Sequence, residues 1–158
     1  MFKMYGGFTR PAIKEVAKSS MKPEPPKPSR VLVVDDEEPI RRFVDRVLSD
    51  LGYHTALAAD GVEALRIAAQ LGAFDFLVTD LMMPQMRGDD LAQHLLRDQP
   101  HLRVLYLTGH SDRLFRNRVI LGENQAFLDK PCSPDGLREA LALIAPGTPE
   151  TGGGRFLV

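Results

Sequence analysis

The chain has 158 residues, enough for one domain with flanking tails, and its 44% hydrophobic and 26% charged residues are typical of a globular protein. A single cysteine, Cys132, excludes an intramolecular disulfide and argues against a cysteine-based zinc site. The apolar runs are much shorter than the roughly 18 residues of a membrane helix, and no secretory signal is found. We therefore expect a cytoplasmic protein that contacts no membrane.

The net charge of −1 is unevenly distributed. Residues 1–30 carry seven Lys and Arg against two Asp and Glu, a balance of +5, whereas the remainder carries thirteen against nineteen, a balance of −6. A globular part of that sign is poorly suited to phosphate contacts, so no nucleic acid is expected to bind through this chain. Residues 1–29, which include KPEPPKP, are predicted to be a flexible basic tail or linker. Residues 146–158 are predicted to be a flexible Gly-rich tail.

Between these tails, residues 30–145 alternate between strand-like and helical segments. Short apolar runs predict strands over 31–34, 53–58, 74–79, 104–107 and 126–128. Helical spacing and capping signals predict five helices, between Pro39 and Gly52, from Asp60 to Gly72, around 91–96, over 112–121 and from Ser133 to Ile144. Strands that alternate with helices imply an α/β fold, a doubly wound five-stranded parallel sheet with helices on both faces.

In such a sheet, the functional crevice lies beyond the carboxyl ends of the strands. Reactive side chains follow four of these ends, namely Asp35 and Asp36, Asp80, Thr108, and Lys130. Each alone is most often a turn or cap residue, and only their joint position indicates a site. Crowded carboxylates repel one another, and Mg²⁺ relieves that repulsion because it prefers oxygen ligands. The pattern predicts a carboxylate nucleophile, Asp80, that accepts a phosphoryl group, with Lys130 and Thr108 neutralising its oxygens.

Five stretches resemble the receiver domains of two-component response regulators: VLVVDDEEPIRR, GYHTALAADGVEAL, FDFLVTDLMMPQMRGDDL, VLYLTGH and AFLDKPCSPDGL. The resemblance covers about residues 30–145 and extends to stand-alone chemotaxis regulators. It implies the flavodoxin-like receiver fold with strand order 2-1-3-4-5. It also implies phosphorelay signalling, in which Asp80 takes a phosphoryl group from a phosphohistidine of a sensor histidine kinase or histidine phosphotransfer protein. Such a domain is not a turnover enzyme.

The resemblance implies roles for single residues of the metal site. Asp36 would bind Mg²⁺ directly, Asp35 would bind it through a water, and Asp80 and the backbone carbonyl of Met82 would complete the protein ligands. Lys130 would contact the phosphoryl oxygens, and its bond to the following proline would be cis.

Two further pairs follow from the same resemblance. Thr108 and Phe127 would form the switch, in which a hydrogen bond from Thr108 to the phosphoryl group lets Phe127 move from an exposed to a buried rotamer. We expect neighbouring strands to place these two residues side by side. Met82 and His110, two residues past Asp80 and Thr108, would control the lifetime of the phosphorylated state. Both are bulky and neither positions a water, so slow self-dephosphorylation is predicted.

The sequence departs from the family pattern at two places. Cys132 stands where an aromatic residue often follows Lys-Pro, and we expect a buried small side chain there. The segment LGENQAF leaves the helix over 112–121 short or displaced. The stretches LTGHSD and KPCSPDGL are similar to receivers of hybrid histidine kinases, so both a stand-alone regulator and a hybrid-kinase receiver remain open. With fourteen residues after Ile144, output is expected through a downstream protein partner or an effector domain absent from this chain.

Two rival classes of protein lack their required residues. An aspartate-nucleophile phosphatase of the haloacid dehalogenase type needs an acid two residues after the nucleophile, where Met82 stands. A nucleotide-binding module needs a Gly-rich loop after the first strand, where four acidic residues stand.

Overall fold

The computed structural model describes residues 27–109, 121–146 and 155–157. The strands are β1 (Arg30–Val34), β2 (His54–Ala58), β3 (Phe76–Asp80), β4 (Arg103–Thr108), β5 (Gln125–Asp129) and β6 (Arg155–Leu157). The helices are α1 (Glu38–Asp50), α2 (Gly61–Leu71), α3 (Gly88–Asp98) and α4 (Pro134–Ile144). Within these ranges, no helix combines the length and the apolar character of a membrane span. Residues 112–120 of the predicted fourth helix, and most of the predicted N-terminal tail, lie outside the described residues.

The strands form one parallel sheet in the order β2-β1-β3-β4-β5-β6. The first five confirm the predicted order 2-1-3-4-5. The sixth corrects the prediction that residues 146–158 are all flexible, because Arg155–Leu157 pairs with Ala126–Leu128 of β5. Without β6, β5 would be an edge strand with unpaired backbone donors and acceptors, which readily accept another strand. This strand was not predicted, because the glycines that precede Arg155 are typical of a flexible segment.

Apolar side chains alternate between the two faces of the sheet and form two cores. One core joins Leu32 and Leu77 to α2 and α3, and the other joins Val33 and Val78 to α1 and α4. All five residues of β3 are buried. The predicted doubly wound architecture is therefore confirmed, with β3 held rigidly in the middle.

Side chains cap the helices where the sequence predicted. The Asp60 carboxylate accepts a hydrogen bond from the backbone N–H of Glu63 at 2.8 Å, and the Glu63 carboxylate accepts one from the N–H of Ala59 at 2.8 Å. The Ser133 hydroxyl accepts one from the N–H of Gly136 at 3.0 Å. Each bond satisfies a backbone donor at the start of a helix and so fixes where that helix begins.

Arg30 anchors the amino end of β1. Its backbone N–H donates to Asp75 Oδ2 at 2.8 Å, and its guanidinium donates to the carbonyls of Leu71 and Ala73 at 3.0 and 2.9 Å. The same guanidinium lies 4.7 Å from the ring centroid of Phe74. These contacts fasten the first residue of the sheet to the α2–β3 connection, at the end of the sheet opposite the carboxyl ends of the strands.

Candidate functional site

Three aspartates meet at the carboxyl edge of the sheet. Asp35 follows β1 and is 0% exposed, Asp80 ends β3 and is 5% exposed, and Asp36 is exposed. One carboxylate oxygen of each lies within 4.8 Å of the others. The structure therefore brings together the acidic residues that the sequence singled out, and it holds two of them away from solvent.

Asp35 is fixed by its neighbours. Its Oδ1 accepts a hydrogen bond from the N–H of Glu37 at 2.9 Å, and its backbone carbonyl accepts one from the Arg41 guanidinium at 2.7 Å. In the described part of the chain, its buried Oδ2 accepts no hydrogen bond of favourable geometry, although Lys130 Nζ lies 2.8 Å away. A buried carboxylate oxygen held in this way can bind a cation or a water that a cation carries.

Lys130 contributes the positive charge of the site. Its Nζ lies 2.8 Å from Asp35 Oδ2, 3.5 Å from Asp80 Oδ2 and 3.8 Å from Glu37 Oε1. Burial lowers the pKa of Lys130, but the pairing with Asp35 and the charges of Asp80 and Glu37 outweigh burial, so its pKa is raised above its usual value. The ammonium is therefore charged at neutral pH. The Lys130–Pro131 bond is cis, as the resemblance implied.

Backbone contacts fix the position of Asp80. Its carbonyl accepts a hydrogen bond from the Thr79 hydroxyl at 2.9 Å, and its Oδ1 lies 3.4 Å from the N–H of Met82. Gly88, the first residue of α3, packs on the same carbonyl. A Cβ added at Gly88 would lie 2.0 Å from the carbonyl oxygen of Asp80. The backbone N–H of Gly88 donates to the carbonyl of Leu81 at 2.8 Å. Gly88 was not among the site residues predicted from the sequence, although a glycine at the start of a helix is a signal of close backbone approach.

Thr108 is 1% exposed and donates its hydroxyl to Asp129 Oδ1 at 2.8 Å. Its register partner is Asp129, whereas Phe127 pairs with Tyr106. Thr108 and Phe127 do lie on neighbouring parallel strands, as expected, but the register offsets them by two residues, so they are diagonal neighbours rather than direct partners. Phe127 is also not exposed, since it is 1% exposed and its ring centroid lies 5.5 Å from that of Tyr106. A phenylalanine has no polar group that favours solvent, and the contact with Tyr106 stabilises burial.

Two other residues named from the sequence lie around this edge. Met82 is partly buried and packs against the core that contains α2 and α3. His110, its predicted counterpart in lifetime control, lies outside the described residues. Cys132 is partly exposed rather than fully buried and packs against the opposite core. Burial raises the pKa of the Cys132 thiol, which keeps it in its unreactive form at neutral pH.

The charges of the cluster match a divalent cation. The ammonium of Lys130 faces the carboxylates of Asp35, Asp80 and Glu37, and Asp36 adds a fourth beside them. The donors are hard oxygens, and two of the carboxylates are buried, which strengthens their mutual repulsion. Such a set fits Mg²⁺, which takes one or two carboxylates and retains several waters.

Comparison with known proteins identifies this arrangement. Residues 31–142 match the profile of the response regulator receiver domain. Chemotaxis protein CheY of Pseudomonas aeruginosa is 44% identical over 118 residues, which are 73% of this chain and 94% of that protein. Sensor kinase CckA of Brucella abortus is 36% identical over 104 residues, which are 65% of this chain but 11% of that protein.

Solved structures show the same fold. Chemotaxis response regulator CheY4 of Vibrio cholerae has a TM-score of 0.65 at 31% identity, covering 75% of this chain and 100% of that one. The receiver domain of the hybrid histidine kinase CckA has a TM-score of 0.56 at 29% identity, covering 73% of this chain and 98% of that one. The profile match contains β2 to β5, all of β1 except Arg30, and the acidic edge. The chain therefore belongs to the response regulator receiver domain family of two-component signalling.

Proposed function

We propose that the protein accepts a phosphoryl group on Asp80, in a reaction that depends on Mg²⁺, and thereby switches a surface that a partner binds. The observation that carries this proposal is the geometry of Asp80. It is a buried carboxylate at the end of a rigid strand, 3.5 Å from the ammonium of Lys130 and within 4.8 Å of two further carboxylates. The chain acts as a regulator that is modified, and not as an enzyme that turns over a substrate.

The proposed reaction transfers a phosphoryl group from a histidine nitrogen to Asp80. A carboxylate oxygen of Asp80 attacks the phosphorus of a phosphohistidine, the O–P bond forms, and the P–N bond breaks with its electron pair left on the imidazole nitrogen. Lys130 is close enough to Asp80 to neutralise a phosphoryl oxygen there, and Thr108 would donate to another. Asp36, Asp80 and the carbonyl of Met82 would hold Mg²⁺ directly, and Asp35 through a water. The ion supplies charge neutralisation for the transferring oxygens.

The proposed donor is a sensor histidine kinase or a histidine phosphotransfer protein. Similarity to the receiver of a hybrid histidine kinase and to chemotaxis regulators supports this class of donor. The test is to incubate the protein with Mg²⁺ and either acetyl phosphate or a phosphorylated kinase, and to measure the intact mass. We expect a gain of one phosphoryl group, abolished by EDTA. A protein that stays unmodified by every donor, or is modified equally in EDTA, would contradict the proposal.

Mg²⁺ is expected to stabilise the protein through Asp36. At a concentration of ten times its Kd, the ion should raise the free energy of unfolding by about 1.4 kcal/mol, because it binds the folded state alone. Asp36→Ala should lose most of that gain in a thermal or urea titration. Glu38→Ala is the matched control, since Glu38 is an exposed neighbouring carboxylate that pairs with Arg42. An equal gain in Asp36→Ala and the control would exclude Asp36 as a ligand.

Slow self-dephosphorylation is predicted from Met82 and His110. The Met82 side chain packs against the core beside Asp80 and carries no group that orients a water. Met82→Asn introduces an amide that can do so, and we expect its phosphoprotein to decay several-fold faster in a time course of intact mass. An unchanged or slower decay would show that Met82 does not limit access of water.

The proposed switch involves Thr108 and Phe127. In this structure Phe127 already occupies the buried orientation, so a phosphoryl group would stabilise that orientation rather than create it. The surface read by a partner would be formed by β5, α4 and the segment between β4 and β5. Ring NMR signals of Phe127, compared with and without beryllofluoride, report whether this residue responds.

A further inference from the structure

The carboxyl ends of β4 and β5 are joined by a polar contact that the chemistry of Asp80 does not require. Thr108 is 1% exposed, and its hydroxyl donates to Asp129 Oδ1 at 2.8 Å. The two residues are register partners in the sheet. The next residue, Lys130, donates its backbone N–H to the carbonyl of Thr108 at 2.8 Å. The hydroxyl and the backbone carbonyl of Thr108 are thus both bound to the end of β5.

A hydroxyl has a single proton to donate. A hydrogen bond to a carboxylate is charge-assisted and stronger than one to a neutral acceptor. If the phosphoryl group on Asp80 recruits Thr108, the hydroxyl must leave Asp129 before it can donate to a phosphoryl oxygen. The free energy of the broken Thr108–Asp129 hydrogen bond is therefore subtracted from the free energy with which Thr108 binds the phosphoryl group.

We propose that Asp129 is a positioning residue that holds the Thr108 hydroxyl in the unphosphorylated state and competes with the phosphoryl group for its proton. The inference rests on the proposed function, because it presupposes that Asp80 carries the phosphoryl group. Asp129 would act through its hydrogen bond with Thr108. Its effect is to set how readily the domain enters its phosphorylated conformation.

The experiment is a double-mutant cycle read by the affinity for beryllofluoride at saturating Mg²⁺. Wild type, Asp129→Ala, Thr108→Val and the double variant are titrated. We expect Asp129→Ala to bind about three- to tenfold more tightly, the range of one hydrogen bond. In the Thr108→Val background the same substitution should change the affinity by less than about twofold, since the shared contact is already gone.

Two further variants separate the hydrogen bond from charge and folding. Asp129→Asn keeps an acceptor without the charge and should show a smaller gain than Asp129→Ala. Asp135→Ala removes an exposed carboxylate, 78% exposed, at the start of α4, and should leave the affinity unchanged. Without Mg²⁺ or beryllofluoride, the methyl NMR signal of Thr108 should shift in Asp129→Ala and stay in place in Asp135→Ala.

An unchanged affinity in Asp129→Ala would overturn the competition. The competition would also be overturned if Asp129→Ala raised the affinity for beryllofluoride equally in the wild-type and Thr108→Val backgrounds. The gain would then come only from the loss of the negative charge of Asp129. A wild-type protein that binds no beryllofluoride in Mg²⁺ would instead overturn the proposed phosphoacceptor function. The Thr108 methyl signal would still report the hydrogen bond in that case, so the two failures are distinguishable.

Discussion

An Asp80→Asn protein is expected to gain no phosphoryl group under conditions that modify the wild type fully. The amide oxygen is not a nucleophile toward phosphorus, and Asp35, the other buried carboxylate of the cluster, is already paired with Lys130 at 2.8 Å. The loss should exceed 100-fold in initial rate, which corresponds to about 2.7 kcal/mol or more in the barrier. Intact mass after exposure to acetyl phosphate and Mg²⁺ measures it.

Folding should survive this substitution. Asn retains an oxygen that can accept from the N–H of Met82, and it removes one negative charge from a crowded site. Without Mg²⁺, the free energy of unfolding should therefore be equal or higher. Asp135→Asn, an exposed site with the same chemical change, should be phosphorylated like the wild type. If the Asp80→Asn protein were still phosphorylated, the phosphoacceptor would have to be a different residue.

Gly88→Ala should destabilise the protein by about 3 kcal/mol, at the upper end of overpacking effects. The added methyl carbon would lie 2.0 Å from the carbonyl oxygen of Asp80 and 3.1 Å from the Cα of Leu81, and backbone atoms cannot rotate away as a side chain can. Either α3 must shift or Asp80 must move, so the phosphorylation rate should also fall. Urea unfolding and the mass assay measure the two effects.

Gly61→Ala is the matched control. Gly61 is also the buried first residue of a helix, but its added carbon would meet the side chain of Met86, with Sδ nearest at 2.6 Å. A flexible thioether can move, so the cost should be about 1 kcal/mol or less. Equal stability of the two variants would mean that the α3–Asp80 contact is not rigid.

The acidic edge could be predicted from the sequence because its members follow the ends of different strands. Asp35, Asp36, Asp80 and Lys130 each lie within two residues past the end of a predicted strand, and the parallel topology leaves one place for them to meet. The predicted strands were shorter than those observed by one or two residues at some ends. Asp80, for example, lies within β3 rather than after it. These shifts did not disturb the cluster, because its residues stay at the carboxyl edge of the sheet wherever the last residue of each strand is drawn.

Contacts that depend on register could not be predicted in the same way. Whether Thr108 faces Phe127 or Asp129 depends on how β5 slides along β4, and an apolar pattern of three residues does not fix that offset. The strand Arg155–Leu157 was missed for a related reason. The strand forms because β5 offers unpaired backbone donors and acceptors at its edge. The three-residue segment RFL is too short to show the alternation of apolar and polar residues that predicts a strand.

The anchoring of Arg30 has a practical consequence for fusion proteins. Strand β1 spans five residues, about 16 Å at roughly 3.3 Å per residue, so Arg30 and Asp35 lie at opposite ends of the sheet. A fluorescent protein or affinity tag joined ahead of residue 30 therefore starts far from Asp80. Arg30 ties that attachment point to Asp75 and the end of α2. A kinase can then approach the acidic edge from the other side, which makes the amino end the better place for a label in phosphotransfer experiments.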